Sequence, residues 1–218
     1  MTPGWRHAAR LLHHAAAASL LAAAAWHGCR AGWIEVKAHL AQHLVRRAWR
    51  AAQAGGETAR PWRWADTRPV ARLSVPGRDV DVIVLAGASG RTLAFGPGHV
   101  AGTPLPGARG NSVIAGHRDT HFAFLRGLRR GDALAVQRAD GDTVEYRVAG
   151  TAVVDRLATE VMADAGDTRL TLVTCYPFDA LRSGGPLRYV VTAVREPGTR
   201  ADEGRQSRPA RRLRTSSA

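Results

Sequence analysis

Thiols are scarce in this chain. Only Cys29 and Cys175 occur among its 218 residues. One lies beside an apolar N-terminal run and the other deep in the C-terminal half, so a disulfide between them is not expected. Neither stands at metal spacing from a histidine or the other cysteine. His13-His14 and His117…His121 are among the tight histidine pairs. The second would bind zinc only on a helix and with a third ligand, and no glutamate stands near it. No metal and no cofactor is expected. Lysine is almost absent: Lys37 stands alone, and arginine carries nearly all of the +13 net charge. With so much alanine, this points to coding bias rather than a selected surface. The arginines scatter, clustering only in the tail, and no strand is rich in aromatics that would stack bases. Nucleic acid is therefore not an expected partner. Gly87–Thr92 is glycine-bearing but lacks a Gly-Lys-Ser/Thr ending, and no long helix follows, so it is a weak phosphate loop.

A long apolar run is also missing. Ala15–Trp26 is alanine-rich and shorter than the ~20 residues a spanning helix needs. Extending it from Leu11 to Ile34 brings in His13, His14, His27 and Arg30. Three readings stay open: a membrane anchor, a cleaved signal with an Ala-x-Ala site near Ala23–Ala25, or an ordinary helix. Cys29 follows a poor lipidation sequence, Ala25-Trp26-His27. From Trp33 to Gln53 the periodicity is helical, with Ile34, Leu40, Leu44, Val45, Ala48 and Ala52 near one stripe, and Gly55-Gly56 stops it. This reads as a stalk or as a helix lying on anionic headgroups. The run to Pro69 is a Trp/Pro-rich linker.

What is present beyond Arg68 is a series of short strands. Val70–Val75 and Val80–Leu85 flank the turn at Pro76-Gly77. Gly87–Gly110 reads as irregular loop with a helical turn near Ser89–Leu93. Asn111–Ala115 is an apolar strand leading to Gly116-His117. Phe122–Leu128 suits a short helix. Ala133–Arg138 and Thr143–Val148 form a hairpin at Asp140-Gly141. Ala152–Val154 is another short strand, and Asp155–Asp167 is polar and partly helical. Leu170–Cys175 and Leu187–Val194 close the series. Many short strands and few helices predict a mainly β barrel or sandwich. Past Arg195 the chain is Arg/Ser/Pro-rich and reads as a disordered tail.

Three of these segments carry chemistry at their edges. In Arg169–Phe178 the side chains of Leu170, Leu172 and Thr174 face one way and those of Thr171, Val173 and Cys175 the other. Pro177 has no N–H and stops the ladder, which leaves Cys175 at a strand end, rigidly held and open on one side. His117 follows one apolar strand, and Arg188 opens another. A thiolate attacks a carbonyl and leaves well, an imidazole serves first as counter-cation and then as acid, and a guanidinium stabilises an oxyanion. His99 and His121 are rival imidazoles, and Arg182 a rival guanidinium. Asp119 has no defined role, so no Cys-His-Asp triad is expected.

These segments resemble those of the sortases, membrane-anchored cysteine transpeptidases. Thr171-Leu172-Val173-Thr174-Cys175 is similar to the TLxTC signature, and Gly116-His117 to the family histidine. Arg188 stands where the family keeps its arginine, thirteen positions after the thiol (188 − 175 = 13). The likeness covers roughly Arg68 to Arg195. Val84–His99 and Cys175–Phe178 look most like the Gram-negative branch. The resemblance implies a closed barrel of about eight strands with short helices, preceded by an N-terminal membrane helix. It divides the chain into an anchor (1–33), a stalk and linker (34–66), a catalytic domain (67–196) and the tail (197–218). It implies Cys175, His117 and Arg188 as catalytic residues. Thr174 would orient Arg188 or the substrate, and the Tyr176 N–H would be an oxyanion donor. The partner would be a secreted protein with an LPxTG-like signal, cleaved between Thr and Gly and passed to an unidentified amine or to water. The location would be the periplasmic side of the inner membrane. Two rivals remain. An L,D-transpeptidase uses the same residue types but puts an arginine two positions after its cysteine, where this chain has Pro177. The other is a non-catalytic envelope protein with a structural Cys175.

Overall fold

The computed structural model describes residues 4–55, 59–164, 166–180 and 184–196. The expected tail at 197–218, the expected rival Arg182 and the loop 181–183 around it lie outside the described residues. The chain divides into two compact units, Met1–His43 and Leu44–Ala218.

Helix α1 (Gly4–Gln53) runs unbroken through residue 33. Among the described residues, no helix is long and apolar enough to cross a membrane. The expected membrane helix is thus not shown by α1. Its apolar stretch is mostly alanine, which brings little transfer energy per residue, and histidines and arginines flank it at one-to-two-turn intervals. Within the second unit, the last turns of α1 bury Val45, Ala48, Trp49 and Ala52. The helix stops where Gly55 takes φ +92, a backbone state that glycine adopts without steric cost.

Eight strands close into a barrel: β1 (Pro69–Ser74), β2 (Asp81–Ala86), β3 (Gly98–His99), β4 (Gly110–Ala115), β5 (Ala133–Arg138), β6 (Thr143–Asp155), β7 (Thr168–Tyr176) and β8 (Leu187–Arg195). Their order around the barrel is β1-β2-β3-β4-β7-β8-β6-β5. The β2–β3 and β4–β7 pairs are parallel. Closure leaves no unpaired edge, which a sheet of this size otherwise has to protect. Alternation fills the interior: Leu73, Ile114, Leu134, Val136, Tyr146, Leu170, Leu172 and Val191 are all fully buried in one core.

Three local expectations are corrected. The 87–110 segment holds helix α2 (Gly90–Leu93), as expected, but also β3, which is not irregular. Its two residues are too few to show a period, and Gly98 is required because a Cβ there would lie 2.2 Å from the Gly87 carbonyl oxygen. The two strands expected at 143–148 and 152–154 are a single strand, β6, with a register shift between Val148 and Gly150. That bulge lets one long strand pair with β5 at one end and β8 along most of its length. The expected helix at 122–128 is a 3-10 turn, Ala123–Gly127.

Candidate functional site

The site is built where β4, β7 and β8 lie side by side. β4 and β7 run parallel with Ala115 opposite Val173. β7 and β8 run antiparallel with Cys175 directly opposite Arg188. Burial follows the expected alternation only toward the strand end: Leu172 and Thr174 are buried and Val173 and Cys175 half-buried, whereas Leu170 and Thr171 are both buried. β7 runs one residue further than expected, to Tyr176, and ends at Pro177 after a cis peptide bond. Cys175 is a free thiol, as is the exposed Cys29. His117 is exposed, two residues beyond the end of the β4–β7 pairing.

Neighbours of these residues tie the strands together. The Gly116 N–H donates to the Val173 carbonyl at 3.1 Å. The Thr174 hydroxyl donates to the Gly116 carbonyl at 2.7 Å and is buried. Thr174 is thus a strut between β7 and the His117 turn. It lies on the opposite face of β7 from Cys175. Tyr176 shares the Thr174 face, and its ring stacks on Tyr189, with Phe178 edge-on to both. Its side chain is half-buried in this aromatic cluster. The Arg188 guanidinium donates through Nη1 to the carbonyls of Gly185 (2.8 Å) and Leu187 (2.9 Å). These bonds hold it against its own strand start.

Beside these strands lies a small cavity of about 130 Å³, lined by Val113, Ala115, Val173 and Arg188 and roofed by Val161 and Met162. The roof is a 3-10 turn, Thr159–Met162, in the segment between β6 and β7. Sequence reading expected this segment to be polar and partly helical, not to roof a cavity. It also missed what holds the roof. Buried Asn111 donates from Nδ2 to the carbonyls of Val161 (2.9 Å) and Ala163 (3.2 Å), and its Oδ1 accepts from the Thr171 hydroxyl. A buried side-chain amide with every group paired is a rigid mount.

The rival histidines are occupied elsewhere. His99 is buried, with Nε2 between the Pro104 carbonyl and the Thr103 hydroxyl. His121 is half-buried in a separate hollow with Asp79, Val80 and Phe124. Burial, and then the nearby charge of His117, holds the His121 imidazole below the ordinary histidine range. The His117–His121 stretch is a turn rather than a helix, so the i, i+4 zinc geometry does not arise. Among the described residues, no group of three His, Cys, Asp or Glu side chains is arranged to hold a metal. The exposed Asp119 carboxylate pairs with Arg118 at 3.2 Å.

A thiol opposite a guanidinium, with an imidazole-bearing strand end alongside, brings together residue types suited to acyl transfer. The model of the sortase domain matches residues 73–196 of this chain. The chain belongs to the sortase family. It is 30% identical to sortase D of Bacillus subtilis over 124 residues, which is 56% of this chain and 62% of that one. It is 28% identical to sortase A of Bacillus anthracis over 110 residues, covering 49% and 51% of the two chains. The chain spans between about half and 62% of the length of the curated relatives it matches. Sortase A from Corynebacterium diphtheriae is a structural neighbour at TM-score 0.56 and 29% identity, covering 66% of this chain and 67% of its own. A sortase D5 transpeptidase from Clostridium perfringens aligns at TM-score 0.52 and 26% identity, over 59% and 79% of the chains. Sortase C-1 from Actinomyces oris aligns at 0.53 and 29%, over 70% and 99%. The eight-stranded barrel is thus the sortase fold.

Proposed function

We propose that this sortase is a cysteine transpeptidase that cleaves an LPxTG-like signal of a secreted protein and transfers the acyl part to an amine or to water. One observation carries the reading: Cys175 and Arg188 are paired across β7 and β8 beside a groove whose size suits one aliphatic side chain. The Cys175 thiolate attacks the threonine carbonyl carbon. Arg188 and the Tyr176 N–H take the charge that develops on its oxygen. The C–N bond to glycine breaks as His117 gives its proton to the departing amine, leaving a thioester. An incoming amine then attacks the thioester carbon and loses its proton to His117, and the thiolate departs. No metal or cofactor enters the scheme.

The finer assignments belong to the same proposal. Placement at the inner membrane, facing the periplasm, rests on kinship with sortases and on the exposed Leu20, Leu21, Trp26 and Trp33 of α1. Membership of the Gram-negative branch rests on the segments 84–99 and 175–178. Incubating the protein with a fluorogenic LPxTG peptide tests the reaction. Cys175→Ala and His117→Ala are expected to abolish cleavage, and Arg188→Ala to lower kcat about 100-fold or more. Hydroxylamine should release the acyl group from the wild-type thioester. Cleavage that survives Cys175→Ala, or no acyl-enzyme by mass spectrometry with any signal peptide, would overturn the assignment.

A further inference from the structure

Arg118 follows His117 directly and is 5% exposed. An arginine so buried has to be paired, since an unpaired guanidinium in the interior is strongly destabilising. The partners described for it flank the site. Nη1 donates to the Pro177 carbonyl at 2.8 Å and Nη2 to the Ala180 carbonyl at 2.7 Å, and Nε donates to Asp119. Pro177 and Ala180 belong to the loop that leaves β7 just after Cys175.

Together with Thr174, these bonds form two clasps. The residue before Cys175 is bonded to the residue before His117: Thr174 to Gly116. The residue after His117 is bonded to the loop after Cys175: Arg118 to Pro177 and Ala180. Cys175 and His117 lie between the two. The β4–β7 ladder ends at Ala115 and Val173, so beyond that point the strand ends are joined by these side chains and the Gly116–Val173 backbone bond.

We infer that Arg118 is a positioning residue, whose two-pronged bond to Pro177 and Ala180 fixes the loop beyond Cys175 and so sets the thiol against His117. The planar guanidinium reaches two carbonyls three residues apart at once. An ammonium is a single compact donor head and cannot reproduce that fork. Misplacing a reacting group by about 1 Å costs roughly 100-fold in rate, so a loosened loop registers in the chemistry before it registers in the fold. The catalytic consequence rests on the proposed transpeptidation, but the effect on the thiol does not.

The test uses the full chain carrying Cys29→Ser, so that Cys175 is its one thiol. Arg118→Lys and Arg118→Gln keep a polar side chain but lose the fork, and Arg118→Ala removes it. Three quantities are read: kcat and KM on the signal peptide, the iodoacetamide alkylation rate of Cys175 across about pH 5 to 9, and the thermal midpoint. The expected result is a kcat lowered at least about tenfold in Arg118→Lys and Arg118→Gln with KM within about twofold. The alkylation profile should shift along the pH axis, and both variants should remain folded at assay temperature. Unchanged kcat and an unchanged alkylation profile in folded Arg118→Lys and Arg118→Gln would overturn the inference. So would a loss of activity that only follows the fraction unfolded. If the wild-type chain cleaves no signal peptide but its Cys175 alkylation still depends on Arg118, the transpeptidase reading fails and this inference stands.

Discussion

Gly116 sits where a side chain has no room. A Cβ there would lie 2.7 Å from the Phe122 ring, which is itself fully buried. Gly116→Ala therefore forces the ring or the His117 turn to move. It is expected to lower stability by about 1–3 kcal/mol, measurable by urea unfolding, and to reduce activity beyond that loss. Tyr146 is a second such residue. Its ring is fully buried and its hydroxyl accepts the Gly107 N–H at 2.6 Å. Burial raises its pKa above the usual tyrosine value. The unfolded chain ionises this phenol near pH 10, before the folded chain does. Its contribution to stability is therefore whole below about pH 10 and falls as pH rises toward the folded-state pKa. Urea unfolding from about pH 8 to 11 should show this decline in the wild type and a weaker one in Tyr146→Phe. At pH 7 the same substitution leaves the Gly107 N–H without its partner, a loss of about 1–3 kcal/mol.

At the level of elements, the segment between β6 and β7 roofs the cavity beside the Cys175–Arg188 pair. Its 3-10 turn is pinned by Asn111 on β4 rather than by its own sequence. Asn111→Ala should free the roof of the groove while leaving Cys175 opposite Arg188. The expected outcome is a KM several-fold higher with kcat little changed, read by steady-state cleavage of the signal peptide. Hydrophobic alternation named β1, β2, β4, β5, β7 and β8 to within a residue or two, because each has one face in the core. It did not name β3, which is too short to show a period, nor the continuity of β6, where the bulge at Val148–Gly150 breaks the alternation. The role of Thr174 was also hidden. A threonine before a reactive cysteine suggests contact with substrate, but its face of the strand points to the barrel, where its hydroxyl meets Gly116.

For the whole molecule, the division at His43/Leu44 makes a prediction about folding. The last turns of α1 place Trp49 and Val45 at 4% and 1% exposure, whereas Leu20, Leu21 and Trp26 are exposed. Removing residues 1–43 should leave the thermal midpoint of the barrel within a few degrees. Removing residues 1–54 takes away the buried Trp49 as well. It should destabilise by about 3–5 kcal/mol, comparable to truncating a large core side chain. Circular dichroism melts of the two truncations against the full chain would decide it.

The order of short strands and their faces were legible in the amino-acid sequence, and the choice of Cys175, His117 and Arg188 followed from its resemblance to the sortases. Periodicity and residue chemistry are local properties, and the chain carries them wherever it goes. Closure of the barrel, the Cys175–Arg188 pairing, the seat of the roof on Asn111 and the grip of Arg118 on the loop after Cys175 needed the folded molecule. Each joins residues separated by thirteen to some sixty positions, and only the packed sheet brings such distant residues into contact.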